Sequence, residues 1–340
     1  MQRLRKLLLP FAVLYGLITY FRNLLFDVKI LKSYSFDIPI IAVGNLSVGG
    51  TGKSPQVEYL IRLLSQNYKV ATLSRGYNRS TSGFVLADYN ANALTIGDEP
   101  FQFYTKYPES IVAVDEDRAE GVEILLNLDL KPHVILLDDA FQHRKVQAGF
   151  YILLTAYNDL FCNDFMLPSG NLREFEMGKK RANVVVVTKC PADLDEDQQQ
   201  ITIEKLQVGV PVYFNSIVYN DFVLNNAQES LLVSDIKNTQ KIVLAGIAKP
   251  EPFFNFLNAE TAERLIFADH HNFTDVDIQH ILKKAAGRKI ITTEKDFMRL
   301  KNKLPNNQLY YLPIQINFLR NKNNFDQQII NFVKKSNQNV

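Results

Sequence analysis

Lys53 and Ser54 are the residues of this chain best suited to phosphate chemistry, because they directly follow the glycine-rich run GNLSVGGTG at 44–52. Glycine lets backbone N–H groups converge on phosphate oxygens, a lysine neutralises the terminal phosphates of a nucleotide, and a serine hydroxyl can bind Mg²⁺. Ser47 stands where the usual pattern has its first glycine, and extra glycines later in the loop can supply the missing backbone freedom. The predicted nucleotide-binding residues are Ser47, Val48, Gly49, Gly50, Thr51, Gly52, Lys53 and Ser54.

A second feature is a pair of carboxylates, Asp138 and Asp139, at the end of the apolar run 134–137. An acid at the tip of a buried strand holds Mg²⁺ in phosphate-loop enzymes. Any buried strand can end in aspartate, so the interpretation depends on the phosphate loop upstream. The turn at 168–174 adds another metal-capable carboxylate. The predicted metal ligands are Ser54, Asp138, Asp139 and Glu174.

A third feature is the segment Gly97-Asp98-Glu99-Pro100. Two acids before a proline are typical of a helix N-terminus, and that structural interpretation stays open. The functional interpretation is a carboxylate that accepts a proton from a hydroxyl group. Arg75 follows another predicted strand, where an arginine is either a phosphate ligand or simply solvated. The candidate substrate-binding residues are Arg75, Tyr77, Arg118 and Asn171.

The elements that must position these residues alternate between strands and helices. A β-branched apolar run at 38–43 precedes the glycine loop, and an amphipathic helix follows it. A second alternating pattern restarts near residue 242, which argues for parallel sheets in both halves. We predict two α/β/α domains, the N-terminal one a phosphate-loop kinase-type parallel sheet, joined by an extended two-strand linker. The predicted segments are an N-terminal helix at 1–30, a core domain at 31–211, linker strands at 212–225 and 308–319, a smaller domain at 226–307, and a C-terminal helix and tail at 320–340.

Composition sets broader limits. A length of 340 residues favours two domains, and a net charge of +2 gives no reason to expect nucleic acid as a partner. The two cysteines, Cys162 and Cys190, lack metal-type spacing and fit a reducing compartment.

The N-terminal segment carries Arg3, Arg5 and Lys6 before an uncharged run at 7–21. As a helix this run would cover roughly 22 Å, less than the ~30 Å of a bilayer core. A spanning helix would also place the phosphate loop outside the cell, away from nucleotide. We therefore favour a helix lying in the membrane surface, with a buried core helix and a true span as alternatives.

Eight segments together give the chain a close, nearly end-to-end resemblance to the tetraacyldisaccharide 4'-kinases, or lipid A 4'-kinases. Ala140 replaces the glycine usual in the family's Asp-Asp-Gly-Phe-Gln-His, and Ser54 replaces a more common threonine, although both changes preserve the chemistry. The segments are GNLSVGGTGKSP at 44–55, SRGY at 74–77, GDEP at 97–100, DDAFQH at 138–143, NLRE at 171–174, AGIAKPEPFF at 245–254, DHHNF at 269–273 and TTEKDFMRL at 292–300.

The resemblance implies transfer of the γ-phosphate of ATP, with Mg²⁺, to the 4'-hydroxyl of tetraacyldisaccharide 1-phosphate, which forms lipid IVA. It implies a site of action at the cytoplasmic face of the bacterial inner membrane, and no obligate protein partner is evident. The family's catalytic carboxylate corresponds to Asp98 and its supporting histidine to His270, with Lys53 as the catalytic cation. Without the resemblance, Asp269-His270-His271 would be interpreted as an exposed turn or a metal pair.

Two other functions remain as alternatives. One is an ATP-dependent ligase on the same kind of fold, which would need a second substrate. The other is a nucleotide-switch adaptor at the membrane, which would need no general base for a sugar hydroxyl.

Overall fold

The computed structural model describes residues 5–258 and 263–338, and Arg3 of the predicted basic start lies outside them. The strands in these ranges are β1 (Ile40–Asn45), β2 (Val70–Ser74), β3 (Val85–Leu86), β4 (Ile111–Val114), β5 (Val134–Asp138), β6 (Phe150–Ala156), β7 (Val184–Thr188), β8 (Val212–Tyr219), β9 (Phe222–Leu224), β10 (Ser230–Leu232), β11 (Lys241–Ala245), β12 (Glu263–Ile266), β13 (Lys289–Thr293), β14 (Leu309–Leu312) and β15 (Ile314–Phe318).

The α-helices and short 3₁₀ helices connect these strands. The α-helices are α1 (Leu9–Asp27), α2 (Lys53–Leu64), α3 (Ala93–Ile96), α4 (Asp98–Lys106), α5 (Arg118–Leu126), α6 (Glu196–Leu206), α7 (Val233–Lys237), α8 (Glu251–Phe256), α9 (Asp275–Ala285), α10 (Glu294–Leu300) and α11 (Lys322–Gln338). The 3₁₀ helices are Lys6–Leu8, Phe161–Asn163 and Glu176–Arg181.

The first sheet has the strand order β15-β8-β7-β6-β1-β5-β2-β4-β3, and it is parallel except at its two edge strands, β3 and β15. Its central strands are buried along their whole length, as the continuous apolar runs predict. β1 lies between β5 and β6, with Val43 in register with Asp138. This register places the carboxyl ends of β1 and β5 side by side, so the glycine loop and Asp138 meet at one edge of the sheet.

Helices cover both faces of this sheet. On one face, α2 and α11 bury residues such as Leu60 and Phe325 in the largest hydrophobic cluster. On the other face, α5 buries Val122 and Leu125 against β2 and β5. This layering confirms the predicted α/β/α architecture of the N-terminal half.

The second sheet has the order β10-β9-β14-β13-β11-β12, in which β12, β11, β13 and β14 are parallel. The segments predicted as linker strands cross between the sheets. β8 and β15 pair antiparallel at the edge of the first sheet, while β9 and β14 belong to the second. The predicted parallel sheets in both halves are thus confirmed, while the exact domain boundaries stay a proposal.

Helix α4 is shared between the two halves. Its Phe103 is fully buried in the cluster beneath the first sheet, while its Phe101 packs into the main cluster of the second. Gly97, with a φ of 90°, lets the chain turn sharply into this helix. The residues at the start of α4 are therefore held at the junction of the two sheets.

Helix α1 packs on the protein along a narrow line formed by Ala12, Gly16 and Phe26. Gly16 lies so close to the ring of Phe175 that an added Cβ would come within 2.6 Å of it. Most of the other apolar side chains of α1 are exposed to solvent, so the alternative that α1 is a buried core helix is wrong. The helix continues past the uncharged run to Asp27, and among the described residues it is the one long and apolar enough to cross a membrane, so the expected shortfall in length is not observed.

Candidate active site

The glycine loop between β1 and α2 forms a turn whose geometry depends on glycine. Gly49 and Gly52 have φ values of 106° and 83°, a region that strains other residues. Lys53 begins α2, and its Nζ lies 3.3 Å from Asn45 Oδ1 and 3.6 Å from Asp139 Oδ1. Ser54 is buried behind it. The loop therefore places an ammonium group and a hydroxyl at a helix N-terminus, which is an environment suited to phosphate.

The end of β7 braces this loop from the other side. Thr188 Oγ1 donates to the carbonyl of Thr51 at 2.7 Å, and Lys189 Nζ donates to the carbonyl of Gly50 at 2.5 Å. Val48 N–H donates to the carbonyl of Asn171 at 2.8 Å. The first two contacts fix the carbonyls of Thr51 and Gly50, whereas Val48 N–H is already paired within the protein.

The two carboxylates at the end of β5, Asp138 and Asp139, lie in different environments. Asp138 is almost fully buried, and it accepts a 3.3 Å hydrogen bond from Ser74 on Oδ2. Asp139, with a φ of 47°, is half-exposed and accepts a pair of bonds from Arg173 at 2.9 and 3.1 Å. Burial, together with the negative charges of Glu99 and Asp139, raises the pKa of Asp138 to about 7.

Asp138 fits a divalent cation because its Oδ1 is buried and has no hydrogen-bond partner among the described residues. A cation there would compensate for the burial that raises its pKa. The described residues contain no cluster of three or more His, Cys, Asp or Glu side chains of the kind that holds a metal by protein ligands alone. This agrees with Mg²⁺ chemistry in nucleotide sites, where one or two protein groups join phosphate and water oxygens. Ser54, Asp138 and Asp139 remain the candidate ligands.

Glu174, one of the predicted metal ligands, is bound on both carboxylate oxygens by other side chains. Its Oε1 accepts from Arg181 at 2.6 Å and Gln142 at 2.9 Å, and its Oε2 accepts from Asn23 of α1 at 2.7 Å. The carboxylate is almost completely buried and its charge is already paired. The short 3₁₀ helix Glu176–Arg181 brings Arg181 back to Glu174. We infer that this carboxylate fastens α1 to the core, and its predicted metal role stays a prediction.

We expect Glu174→Ala to lower the free energy of unfolding by about 3–5 kcal/mol, because it leaves the Arg181 charge poorly compensated. Chemical denaturation checks this value. The Mg²⁺ concentration needed for half-maximal activity should stay unchanged in protein that remains folded. A large increase in that concentration without loss of stability would support Glu174 as a metal ligand.

The carboxylate of Asp98 meets two side chains from the second half of the chain. His270 Nδ1 lies 3.2 Å from Asp98 Oδ2, and Arg299 binds both carboxylate oxygens, with Nε 2.9 Å from Oδ1 and Nη2 on Oδ2. Burial raises the pKa of Asp98, but the hydrogen bonds from His270 and Arg299 outweigh it and hold that pKa at about 2. Asp98 is therefore ionised at all physiological pH values.

Glu99, which follows Asp98 in the chain, forms an ion pair with Lys295 and is influenced by the charge of Lys53 in the phosphate loop. Lys295 Nζ donates to Glu99 Oε1 at 2.6 Å. Although burial raises the pKa of Glu99, the charges of Lys295 and Lys53 lower it to about 2. Glu99 in turn raises the pKa of Asp138. The start of α4 thus lies close enough to Lys53 and Asp138 for these charged groups to affect one another.

The four candidate substrate-binding residues lie in different environments. Arg75 and Tyr77 are exposed, and the Tyr77 ring meets the His270 ring edge-on at 5.8 Å. Arg118 is buried and its Nε has no partner among the described residues. Burial lowers the pKa of Arg118, while the negative charges of Asp138 and Asp139 act in the opposite direction. Asn171 lies beside the phosphate loop, where its carbonyl accepts from Val48 N–H at 2.8 Å and its Oδ1 accepts from Arg5 at 3.2 Å. Tyr77 thus contacts His270 and Asn171 contacts the phosphate loop and Arg5, while the role of all four residues in binding substrate stays a prediction.

Sequence reasoning assigned no role to Lys295 or Arg299, which contact Glu99 and Asp98 directly. Both residues lie in the segment TTEKDFMRL at 292–300. The resemblance of this segment to the family was the feature of the sequence that could have indicated a role for them.

A glycine loop between a central strand and a helix, with an acid ending the neighbouring strand, defines a nucleotide-binding protein of the phosphate-loop class. The sequence model of the family described as tetraacyldisaccharide-1-P 4'-kinase matches residues 4–334 of this chain. The chain therefore belongs to this family.

Named relatives support the assignment along the whole chain. The tetraacyldisaccharide 4'-kinase of Flavobacterium johnsoniae is 58% identical over 99% of both chains. That of Bacteroides thetaiotaomicron is 42% identical over 99% of this chain and 95% of its own. Among solved structures, LpxK from Aquifex aeolicus in complex with ATP superposes with a TM-score of 0.80 at 30% identity, covering 97% of this chain and 99% of that one. The predicted family and fold class are confirmed.

Proposed function

We propose that this protein transfers the γ-phosphate of ATP to the 4'-hydroxyl of tetraacyldisaccharide 1-phosphate, which yields lipid IVA for lipid A synthesis. The observation that carries the proposal is that the start of helix α4, which holds Asp98 and Glu99, lies close enough to the phosphate loop for the charge of Lys53 to lower the pKa of Glu99. A nucleotide-binding protein without an acceptor hydroxyl has no need of a carboxylate such as Asp98 at this position. The family and its named members support the choice of acceptor.

In this mechanism the chain's residues mainly position and neutralise charge. Lys53 and the loop N–H groups hold the terminal phosphates, and bound Mg²⁺, held by Ser54 and Asp138, would supply further positive charge. The acceptor oxygen forms a bond to the γ-phosphorus while the bond from phosphorus to the β,γ-bridging oxygen breaks, and ADP leaves. Asp98 orients the acceptor hydroxyl and takes its proton as the new bond forms. His270 hydrogen-bonds to Asp98 and fixes its orientation.

Acceptor-dependent formation of ADP tests this proposal. Purified protein should release ADP from ATP and Mg²⁺ only when tetraacyldisaccharide 1-phosphate is present in mixed micelles. ADP release without that lipid would favour the nucleotide-switch alternative. Release that requires a second, carboxylate- or amine-bearing substrate would favour the ligase.

We propose further that α1 anchors the protein in the cytoplasmic surface of the bacterial inner membrane. Its exposed side is apolar: Phe11, Leu14 and Ile18 are each more than half exposed. The opposite side is fixed to the core, where Asn23 binds Glu174 and Tyr15 OH donates to the carbonyl of Arg173 at 3.1 Å. A helix tied to the protein along its length supports an anchor that lies in the membrane surface.

The double substitution Leu14→Glu and Ile18→Glu should reduce binding to vesicles by about 10²-fold or more, since burying each apolar side chain contributes about 1.5–3 kcal/mol. The apparent KM for the lipid acceptor should rise more than that for ATP. Vesicle flotation and an alkaline carbonate wash measure the anchor, and the wild-type protein should wash off at least in part.

The control for this prediction is Ile201→Glu with Val276→Glu, two exposed apolar residues on other helices. Equal effects of both double variants on vesicle binding would mean that α1 is not the anchor. Complete resistance of the wild-type protein to the carbonate wash would show that α1 spans the membrane.

A further inference from the structure

Arg299 is the side chain that holds the Asp98 carboxylate most firmly. Its planar guanidinium binds both carboxylate oxygens, a geometry that fixes the plane of the carboxylate as well as its charge. Both side chains are largely buried, with 10% and 15% of their surfaces exposed, so solvent screens this pair only weakly. A lysine at this position could not reproduce the paired contact.

The contact from His270 to Asp98 is conditional, because His270 Nδ1 also lies 3.1 Å from Arg299 Nη2. When Nδ1 carries a proton it can donate to Asp98, and when it is bare it can accept from Arg299. The two states exclude each other for this nitrogen. The bond from Arg299 Nε to Asp98 Oδ1 persists in both.

Arg299 is itself held in place by the second sheet. Its Nη1 lies 3.5 Å from Asp296 Oδ1 and 3.4 Å from the carbonyl of His271. Asp296 is fully buried and accepts on Oδ2 from Gly246 N–H at 2.8 Å and from Thr293 Oγ1 at 2.7 Å. An unbroken chain of contacts thus runs from the end of β11 through Asp296 and Arg299 to Asp98.

We propose that Arg299 is a positioning residue for the transfer reaction: it holds the plane of the Asp98 carboxylate toward the acceptor hydroxyl, and it couples that carboxylate to the second sheet. This inference rests on the proposed role of Asp98. The other charged or titratable groups near Asp98 are Glu99 on its own helix, Lys295 and Asp296 on α10, and Asp269 and His270 in the loop after β12.

The test compares Arg299→Met, Arg299→Lys and wild type for kcat as a function of pH. Removing the cation should raise the pKa of Asp98, since an opposite charge at this range lowers a carboxyl pKa by about 1–3 units. Below the raised pKa Asp98 is protonated and cannot accept the hydroxyl proton. In Arg299→Met we expect kcat to fall by about 10²-fold. Since the wild-type pKa of Asp98 is about 2, the ratio of variant to wild-type kcat should rise with pH between about pH 3 and about pH 6 and stay flat above that range.

Arg299→Lys keeps the charge but loses the paired geometry, so its kcat should fall while the ratio to wild type stays flat with pH. The KM for ATP should change little in either variant. Lys301→Met is the matched control, because Lys301 contacts the same helix α4 at Phe101 and Thr105, away from Asp98. It should leave kcat and its pH profile nearly unchanged.

A loss in Arg299→Met that is the same at every pH and equal to that in Lys301→Met would overturn the positioning role and leave the proposed function intact. Absence of lipid phosphorylation by the wild-type protein in the same assay would instead overturn the proposed function. If Arg299→Met fails to fold, Arg299→Lys decides the question, since unchanged kcat in that variant would contradict the need for the paired contact.

Discussion

Replacing Lys53 with alanine should lower the rate of phosphate transfer by at least about 10²–10³-fold, the cost of removing one charge-stabilising donor from an active site. The Lys53 ammonium sits between Asn45 and Asp139 at the start of α2, and only 12% of its side chain is exposed. Few water molecules can therefore replace it at the terminal phosphates. Steady-state kinetics with saturating ATP and acceptor measure the loss in kcat.

Lys69→Ala provides the control for this change. Lys69 precedes β2, and its side chain donates to the carbonyl of Glu109. The substitution therefore removes the same charge as Lys53→Ala, but at the opposite edge of the sheet. Its kcat should equal that of the wild type. A Lys53→Ala protein with near-wild-type kcat would show that the glycine loop does not bind the transferred phosphate.

The second large effect is expected for Asp98→Asn. This change preserves the shape of the side chain but removes the proton acceptor and the negative charge that Arg299 and His270 bind. General-base catalysis contributes about 10²–10⁴-fold, so kcat should fall by that order. Binding of the acceptor should change less, because the loss is felt mainly in the transition state.

His270→Ala should also lower kcat, and the double variant should lose less than the product of the two single losses, because the two residues act as one unit. Losses that simply multiply would show that they act independently. A fully active Asp98→Asn enzyme would move the base to the carboxylates after β5 and leave Gly97-Asp98-Glu99-Pro100 as a helix start.

The parts of this site that local sequence predicts are those built within one sheet. The glycine loop follows an apolar run that becomes β1, and Asp138 ends another that becomes β5. Since parallel strands end at the same edge, pairing β1 with β5 was enough to bring Lys53 and Asp138 together. The family resemblance added the link between Asp98 and His270, which lie 172 residues apart in the chain.

The features that sequence reasoning missed depend on how separate elements dock. Arg299 is 201 residues from Asp98, and Lys295 is 196 residues from Glu99. No local pattern indicates that α10 of the second half will lie against α4. Glu174 shows the same dependence on docking, because its side chain is of a type that can bind a metal, while the fold pairs it with Arg181 at 2.6 Å.

The most direct test of the central claim is the fate of the γ-phosphate. Wild-type protein should be incubated with γ-labelled ATP, Mg²⁺ and tetraacyldisaccharide 1-phosphate in mixed micelles, with Asp98→Asn in parallel. The lipid product should carry the label in a new phosphate monoester, and phosphorus–proton correlation should place it on the carbon at position 4'. Label that remains in inorganic phosphate, or that enters the lipid at another position, would contradict the account.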